Sequence, residues 1–426
     1  FEYSDLLTEV LYSLLMIIRC SAVGVMILSL IECEEGDRTA EHLWQLLRSR
    51  QTHLQWMVGK LKLLLSGRLR GIACAWSLMS LLAFQEFETA ALMQIDRWPV
   101  AWTVWLFDAH AARYPLAQSL ILLCKAILVQ ILLMAPAAVV FYQAHRSRRS
   151  VMTGLHQTSI SSGSPPASRA ARPVMIGWLA IAVLFFVLLP VITSVRPLVG
   201  GADLVTRQSF LRQSGQQIAV STGFAVAAAI VSLWIAVTTL NFTRSYRRTI
   251  LLAMLPLPGL CGPLFVSLSG LALFQQPVFR PLYDTWLPLL SGLTIAVLPR
   301  ALLVAVLLQH LQHPAATYSA ELLLAHRHGD VRSYGASILW RLVHLRWIGA
   351  AALLAHWCVW DVTTTSILRP VALEPVVTRL YDEMHYGYVD ALVWLSVVAA
   401  LSIPVVALLA AVVSRGILHW RARQRL

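Results

Sequence analysis

The chain has 426 residues, of which 58% are apolar and 13% charged, with a mean hydropathy of +0.67 and a net charge of +13. That balance excludes an ordinary soluble domain, in which about a quarter of residues are charged. It also argues against nucleic-acid binding, because the basic residues gather in short stretches between apolar runs, the arrangement that orients a polytopic membrane protein.

A hydrocarbon core roughly 30 Å thick takes about 20 apolar residues per helical crossing. In chain order the first such run is 11–31, which contains Arg19. Next come 72–93 with Glu86 and Glu88, and 116–141 with Lys125. The stretch 142–173 is rich in Ser, Pro and Arg and reads as a flexible linker. Beyond it, 174–193, 218–240 and 250–274 are free of charge. Pro256, Pro258, Gly259, Gly262 and Pro263 predict a kink or break in the last of these. The run 286–309 holds only Arg300, 347–368 holds His356 and Asp361, and 391–414 is again uncharged. About nine transmembrane helices are expected, without the alternation a barrel requires.

Sidedness follows from the arginines. Arg146, Arg148, Arg149, Arg169 and Arg172 in the linker, Arg244, Arg247 and Arg248 in the loop 241–249, and Arg415, Arg421, Arg423 and Arg425 in the tail mark cytoplasmic segments. The segment 369–390, with Glu374, Asp382, Glu383 and Asp390 against two arginines, faces outward. Threading the helices between these assignments puts the loops 32–70 and 310–346 inside, and 94–115, 194–217 and 275–285 outside.

An internal repeat is legible. Glu86 in Phe84-Gln-Glu-Phe-Glu-Thr lies over Asp361 in Val359-Trp-Asp-Val-Thr-Thr at an offset of 275. Asp108 in Trp105-Leu-Phe-Asp lies over Asp382 in Arg379-Leu-Tyr-Asp at 274, and Leu69-Arg-Gly-Ile over Leu345-Arg-Trp-Ile at 276. A near-constant offset across three blocks predicts two homologous halves in parallel orientation. The first comprises residues 1–142 with about three helices, 143–173 is the cytoplasmic linker, and 174–426 is the second half with about six helices. On that register the first half is truncated and begins roughly 100 residues before Phe1.

Two stretches then carry a family likeness. Ser319-Ala-Glu-Leu-Leu-Leu-Ala-His-Arg-His-Gly-Asp leads into Ile338-Leu-Trp-Arg-Leu-Val-His-Leu-Arg-Trp, with leucines where the family has alanines and no terminal proline. Thr39-Ala-Glu-His-Leu-Trp occupies the equivalent place upstream. With the external segment Arg379–Gly387, this resembles the fused two-domain permeases of ABC importers, closest to the iron(III) and thiamine type. The resemblance implies a multi-pass protein of the bacterial inner membrane, served by ABC ATPase subunits, in two copies, and by a periplasmic solute-binding protein. It implies an ATPase-coupling loop containing Ala40, Glu41, Ala320, Glu321, Gly329, Asp330 and Arg332. In that loop Gly329 is the turn, Leu322, Leu323 and Leu324 hold the helix to the permease body, and Glu321, Arg327, Asp330 and Arg332 face the partner.

Charged groups inside a span are costly and tend to line a pathway or pair. Glu86, Glu88, Asp361 and Thr364 are therefore the candidate translocation path, while Arg19, Lys125 and Arg300 are expected to pair or snorkel. The six cysteines have no metal or redox spacing, and His110, His356 and His385 form no ligand pattern, so no cofactor or metal is expected. No Gly-rich phosphate loop with a Lys-Ser/Thr end occurs, so the chain itself is not expected to be an enzyme. The alternatives are an ion-coupled secondary transporter, which would need no ATPase, and a polytopic membrane enzyme, which would show clustered polar residues at one membrane face.

Overall fold

A computed structural model describes residues 2–30, 52, 56–57, 68–92, 101–151, 171–201, 208–241, 251, 254–311, 314–326, 328–386 and 388–424. Among these residues there are helices and turns but no strand. Seven helical stretches are long and apolar enough to cross a bilayer: Leu7–Val25, Leu116–Ala137, Pro173–Gly200, Gln208–Asn241, Leu287–Gln309, Asp330–Val359 and Val389–Leu418. This is the make-up of an all-α, multi-pass membrane protein.

Three of the nine expected spans are interrupted among the described residues, 72–93, 250–274 and 347–368, the last breaking at Trp360–Asp361. The run 72–93 becomes helix α2 (Arg68–Phe84), a turn, and the short α3 (Glu88–Leu92). In the run 250–274 the prolines and glycines leave α9 (Leu257–Leu260) and α10 (Pro263–Phe274), separated at Gly262, whose φ of 97° suits only a residue without Cβ. Proline removes a backbone donor and clashes with the preceding turn, so it is tolerated in a first turn, where α9 has Pro258 and α10 has Pro263.

The remaining elements are α1 (Glu2–Leu30), α4 (Trp102–Ala111), α5 (Leu116–Val151), α6 (Ala171–Val183), α7 (Leu189–Gly200), α8 (Gln208–Asn241), α11 (Leu287–Leu311), α12 (Pro314–Ala325), α13 (Gly329–Leu339), α14 (Leu345–Val359), α15 (Val362–Leu368), α16 (Val376–His385) and α17 (Val389–Gln424). A π turn at Leu184–Leu188 joins α6 to α7, and another at Trp340–His344 joins α13 to α14.

The chain forms two compact units, residues 1–89 with 124–193, and residues 90–123 with 194–426. In the first, α1 lies along α2, and Ile27, Cys74, Ala75 and Ala137 form a small core. Trp178 on α6 donates its indole N–H to Ser21 Oγ at 3.0 Å. In the second, α8, α11 and α14 pack around a core with Ala225, Ala228, Ala229 and Ala236 fully buried. Lipid tails are as apolar as leucine, so helices in a bilayer associate by close packing rather than by a hydrophobic drive. The alanine stripe supplies the closeness. Gly259 serves the same end on α9: a Cβ there would strike the Ile295 carbonyl and the Pro299 ring, and Pro299 has no N–H to offer that carbonyl.

Candidate functional site

Two of the three expected pathway carboxylates, Glu86 and Asp361, sit where a helix stops and a short one starts. In the first unit α2 ends at Phe84, and Glu86, buried to 6% exposure, accepts the Thr89 N–H at 2.7 Å through Oε1. Its other oxygen receives Arg19 Nη1 at 2.6 Å, and the same nitrogen lies 3.4 Å from Thr89 Oγ1. Glu88 lies 3.8 Å from the Arg19 guanidinium. Arg19 is thus held by acids of the following span, which explains how a lone arginine is tolerated in α1.

In the second unit α14 ends at Val359, and Asp361, at 8% exposure, caps α15. Its Oδ1 accepts the Thr364 N–H at 2.9 Å and its Oδ2 the Thr364 hydroxyl at 2.8 Å. The first N–H groups of a helix have no intrahelical acceptor, and an acid three residues upstream supplies one. Gly292 lets α15 approach α11: a Cβ there would lie 2.5 Å from Leu368 Cδ1 and 2.8 Å from Thr364 Cγ2. Thr363 Oγ1 is buried without a hydrogen-bond partner among the described residues.

Next to the second break lies a polar network that sequence reasoning missed. Ser221 Oγ accepts the Val376 N–H at 2.7 Å, seating the start of α16 on α8. Gln217 donates to Glu374 at 2.6 Å and accepts from Arg379 at 3.3 Å, while Arg379 also donates to Glu383 at 3.1 Å. The available signal was Gln217 and Ser221, a helical turn apart in the α8 sequence. Phe107 of α4 meets Tyr381 of α16 edge to face at 6.2 Å. Burial, and then the nearby Asp108 and Asp382, raise the Tyr381 phenol above its ordinary value, and burial lowers His110. These two helices carry the aligned Leu-aromatic-Asp blocks.

The coupling residues divide differently from expectation. Ala40, Glu41 and Arg327 lie outside the described residues. Ala320 is buried between α12 and α13, and Gly335 permits their contact, a Cβ there reaching 2.7 Å from the Leu324 nitrogen. Gly329 is the first residue of α13 rather than the turn before it. Arg332, expected to face a partner, is instead buried and donates Nε to the Leu324 carbonyl at 3.2 Å, satisfying an end of α12. Leu322, expected to face the protein body, is exposed together with Tyr318, Glu321, Asp330 and Tyr334. The outward surface of this helical hairpin is thus an aromatic and aliphatic patch edged by two acids.

Among the described residues no three His, Cys, Asp or Glu side chains are grouped to hold a metal. No protein-family model, no curated protein and no solved structure matches the chain.

Proposed function

We propose that this chain is the membrane-spanning permease of an ABC importer, built from two homologous halves in parallel and moving a small solute across the bacterial inner membrane by alternating access. The observation that carries the reading is a recurring order of elements. Helix α2, an acid-capped break and α3 precede α4 and α5, as α14, an acid-capped break and α15 precede α16 and α17. Helices α4 and α16 are each 10 residues long, and α5 and α17 each 36. The caps use aligned residues, since Glu86 binds the N–H of Thr89 as Asp361 binds that of Thr364.

In this reading nine crossings are retained, the three interrupted runs crossing as broken helices. The hairpin α12–α13 is the coupling element. Its exposed Tyr318, Leu322 and Tyr334 suit an amphipathic helix entering a groove on a separate ATPase subunit. Because α13 runs through a π turn into α14, a push on the hairpin reaches the Asp361 break along one rod. Closure of two ATPase subunits would shift the helices between outward and inward access, with a periplasmic binding protein delivering solute. Iron(III) is the favoured solute, from the likeness of the segment 379–387.

The test is copurification of full-length protein with the ABC ATPase encoded beside it, in wild type and in Leu322→Asp. Retention by wild type and loss in the variant support the importer. An intact, folded chain that transports solute down an ion gradient without any ATPase overturns it in favour of a secondary transporter.

A further inference from the structure

At the far end of the second unit's spans from the capped break, an arginine is pinned rather than free to wander. The guanidinium of Arg415, on α17, lies 5.6 Å from the centre of the Trp340 ring. The ring is itself fixed, because its indole N–H donates to Ser414 Oγ at 3.2 Å, and that hydroxyl donates to the Ala411 carbonyl at 3.0 Å. Trp340 opens the π turn Trp340–His344, which carries Arg341 and His344 and is followed by Arg346. Such wide turns are rare and are often found at functional sites.

Neither chain segment of the cluster supplies an acid of its own. The segments 338–347 and 411–418 contain Arg341, His344, Arg346 and Arg415 and no Asp or Glu. Arg341 and Arg415 are exposed, and neither makes an ion pair among the described residues. His344 Nδ1 is buried and has no hydrogen-bond partner there. Depth fits as well. At 1.5 Å per residue, 36 residues of α17 rise about 54 Å, well beyond a hydrocarbon core of roughly 30 Å, so its basic end emerges among headgroups. Tryptophan is enriched at that level, where an amphipathic ring suits the headgroup region.

We propose that Trp340, Arg341, His344 and Arg415 form a binding site for the phosphate of an anionic lipid headgroup on the cytoplasmic leaflet. A guanidinium is planar, and one held over an indole face keeps N–H groups free for two-point contact with phosphate oxygens. Arg341 adds a second cation from the adjoining π turn. General attraction of loop arginines to an anionic surface orients a protein but needs no fixed geometry. The hydrogen-bonded Trp340 ring beneath the Arg415 guanidinium is what distinguishes a site from that background. The proposal needs only that α17 crosses a bilayer, so it stands or falls independently of the importer reading.

The experiment titrates short-chain phosphatidylglycerol, phosphatidylcholine or inorganic phosphate into full-length protein in a zwitterionic detergent and follows the melting temperature. Wild type should be stabilised by phosphatidylglycerol and not by the other two. Arg341→Gln and Arg415→Gln should each weaken apparent phosphatidylglycerol affinity about fivefold, as expected for loss of one near-surface charge. Arg113→Gln, the same change at an exposed residue outside the cluster, should leave it unaltered. Equal stabilisation of wild type and both cluster variants overturns the site. Stabilisation by inorganic phosphate alone overturns the lipid assignment, because a free anion would then be the ligand.

Discussion

The break after α2 is held by a carboxylate and a cation, and the break after α14 by a carboxylate and a hydroxyl. Each acid gives one oxygen to an amide three residues on. They differ in what holds the second oxygen, Arg19 for Glu86 and the Thr364 side chain for Asp361. Glutamate, longer by one methylene, spans the gap to a neighbouring helix, whereas aspartate closes on its own cap. The lesson is that one backbone device tolerates two electrostatic solutions. At Glu86 the charge itself matters, because removing it strands a cation. At Asp361 the shape and acceptors matter, because the partners are neutral.

The largest effect should come from Asp361→Ala. It strands the buried N–H and hydroxyl of Thr364, and loss of a cap with two unsatisfied groups costs about 2–4 kcal/mol. Thermal unfolding in detergent measures it, and a change under about 0.5 kcal/mol would mean that α15 does not depend on its cap. The neutral isosteres sharpen the contrast. Glu86→Gln should cost about 1–2 kcal/mol, moderated because the Arg19 side chain is 44% exposed, whereas Asp361→Asn should cost less than about 1 kcal/mol. In the background of Arg19→Gln the Glu86→Gln cost should shrink, a coupling a double-mutant cycle reads directly. No coupling would mean that the pair is not formed.

Gly292→Ala tests the packing of the second break. The added methyl meets the Leu368 side chain and the fully buried Thr364, and we expect about 1–2 kcal/mol of destabilisation with faster proteolysis near α15. The smallest effect concerns pH. His110 is lowered from 6.5 by burial, so the unfolded chain takes up its proton first. Its contribution is therefore fully present above about pH 6.5 and declines as pH falls toward the lower folded value. Protection of the α4 amides against hydrogen exchange, with the acid slowing of intrinsic exchange divided out, should fall on acidification through that window in wild type but not in His110→Gln.

The membrane class and most of the spans were legible in the sequence, because hydropathy is a property of the chain itself. The break at Gly262 was legible for the same reason, proline and glycine acting locally. What was not legible depended on neighbours. Glu86, seen as an isolated charge in an apolar run, reads as a pathway group, and only the approach of Arg19 from another helix makes it half of an ion pair. Arg332 and Leu322 exchanged their expected environments because α12 and α13 pack closely at Gly335, and a contact between two short helices leaves little periodic trace. The Gln217 network likewise joins groups about 160 residues apart, a pairing no local pattern encodes.

The central claim is that two halves run parallel, so that aligned positions face the same side of the membrane. Tyr114, after α4, and Tyr388, after α16, are aligned at offset 274, and both are exposed. Each can be made the single cysteine in a cysteine-free, full-length protein and labelled in intact cells with a membrane-impermeant maleimide. The account predicts that Tyr114→Cys and Tyr388→Cys both react from outside without permeabilisation. If one reacts from outside and the other only after the membrane is opened, the halves are inverted and the account is contradicted.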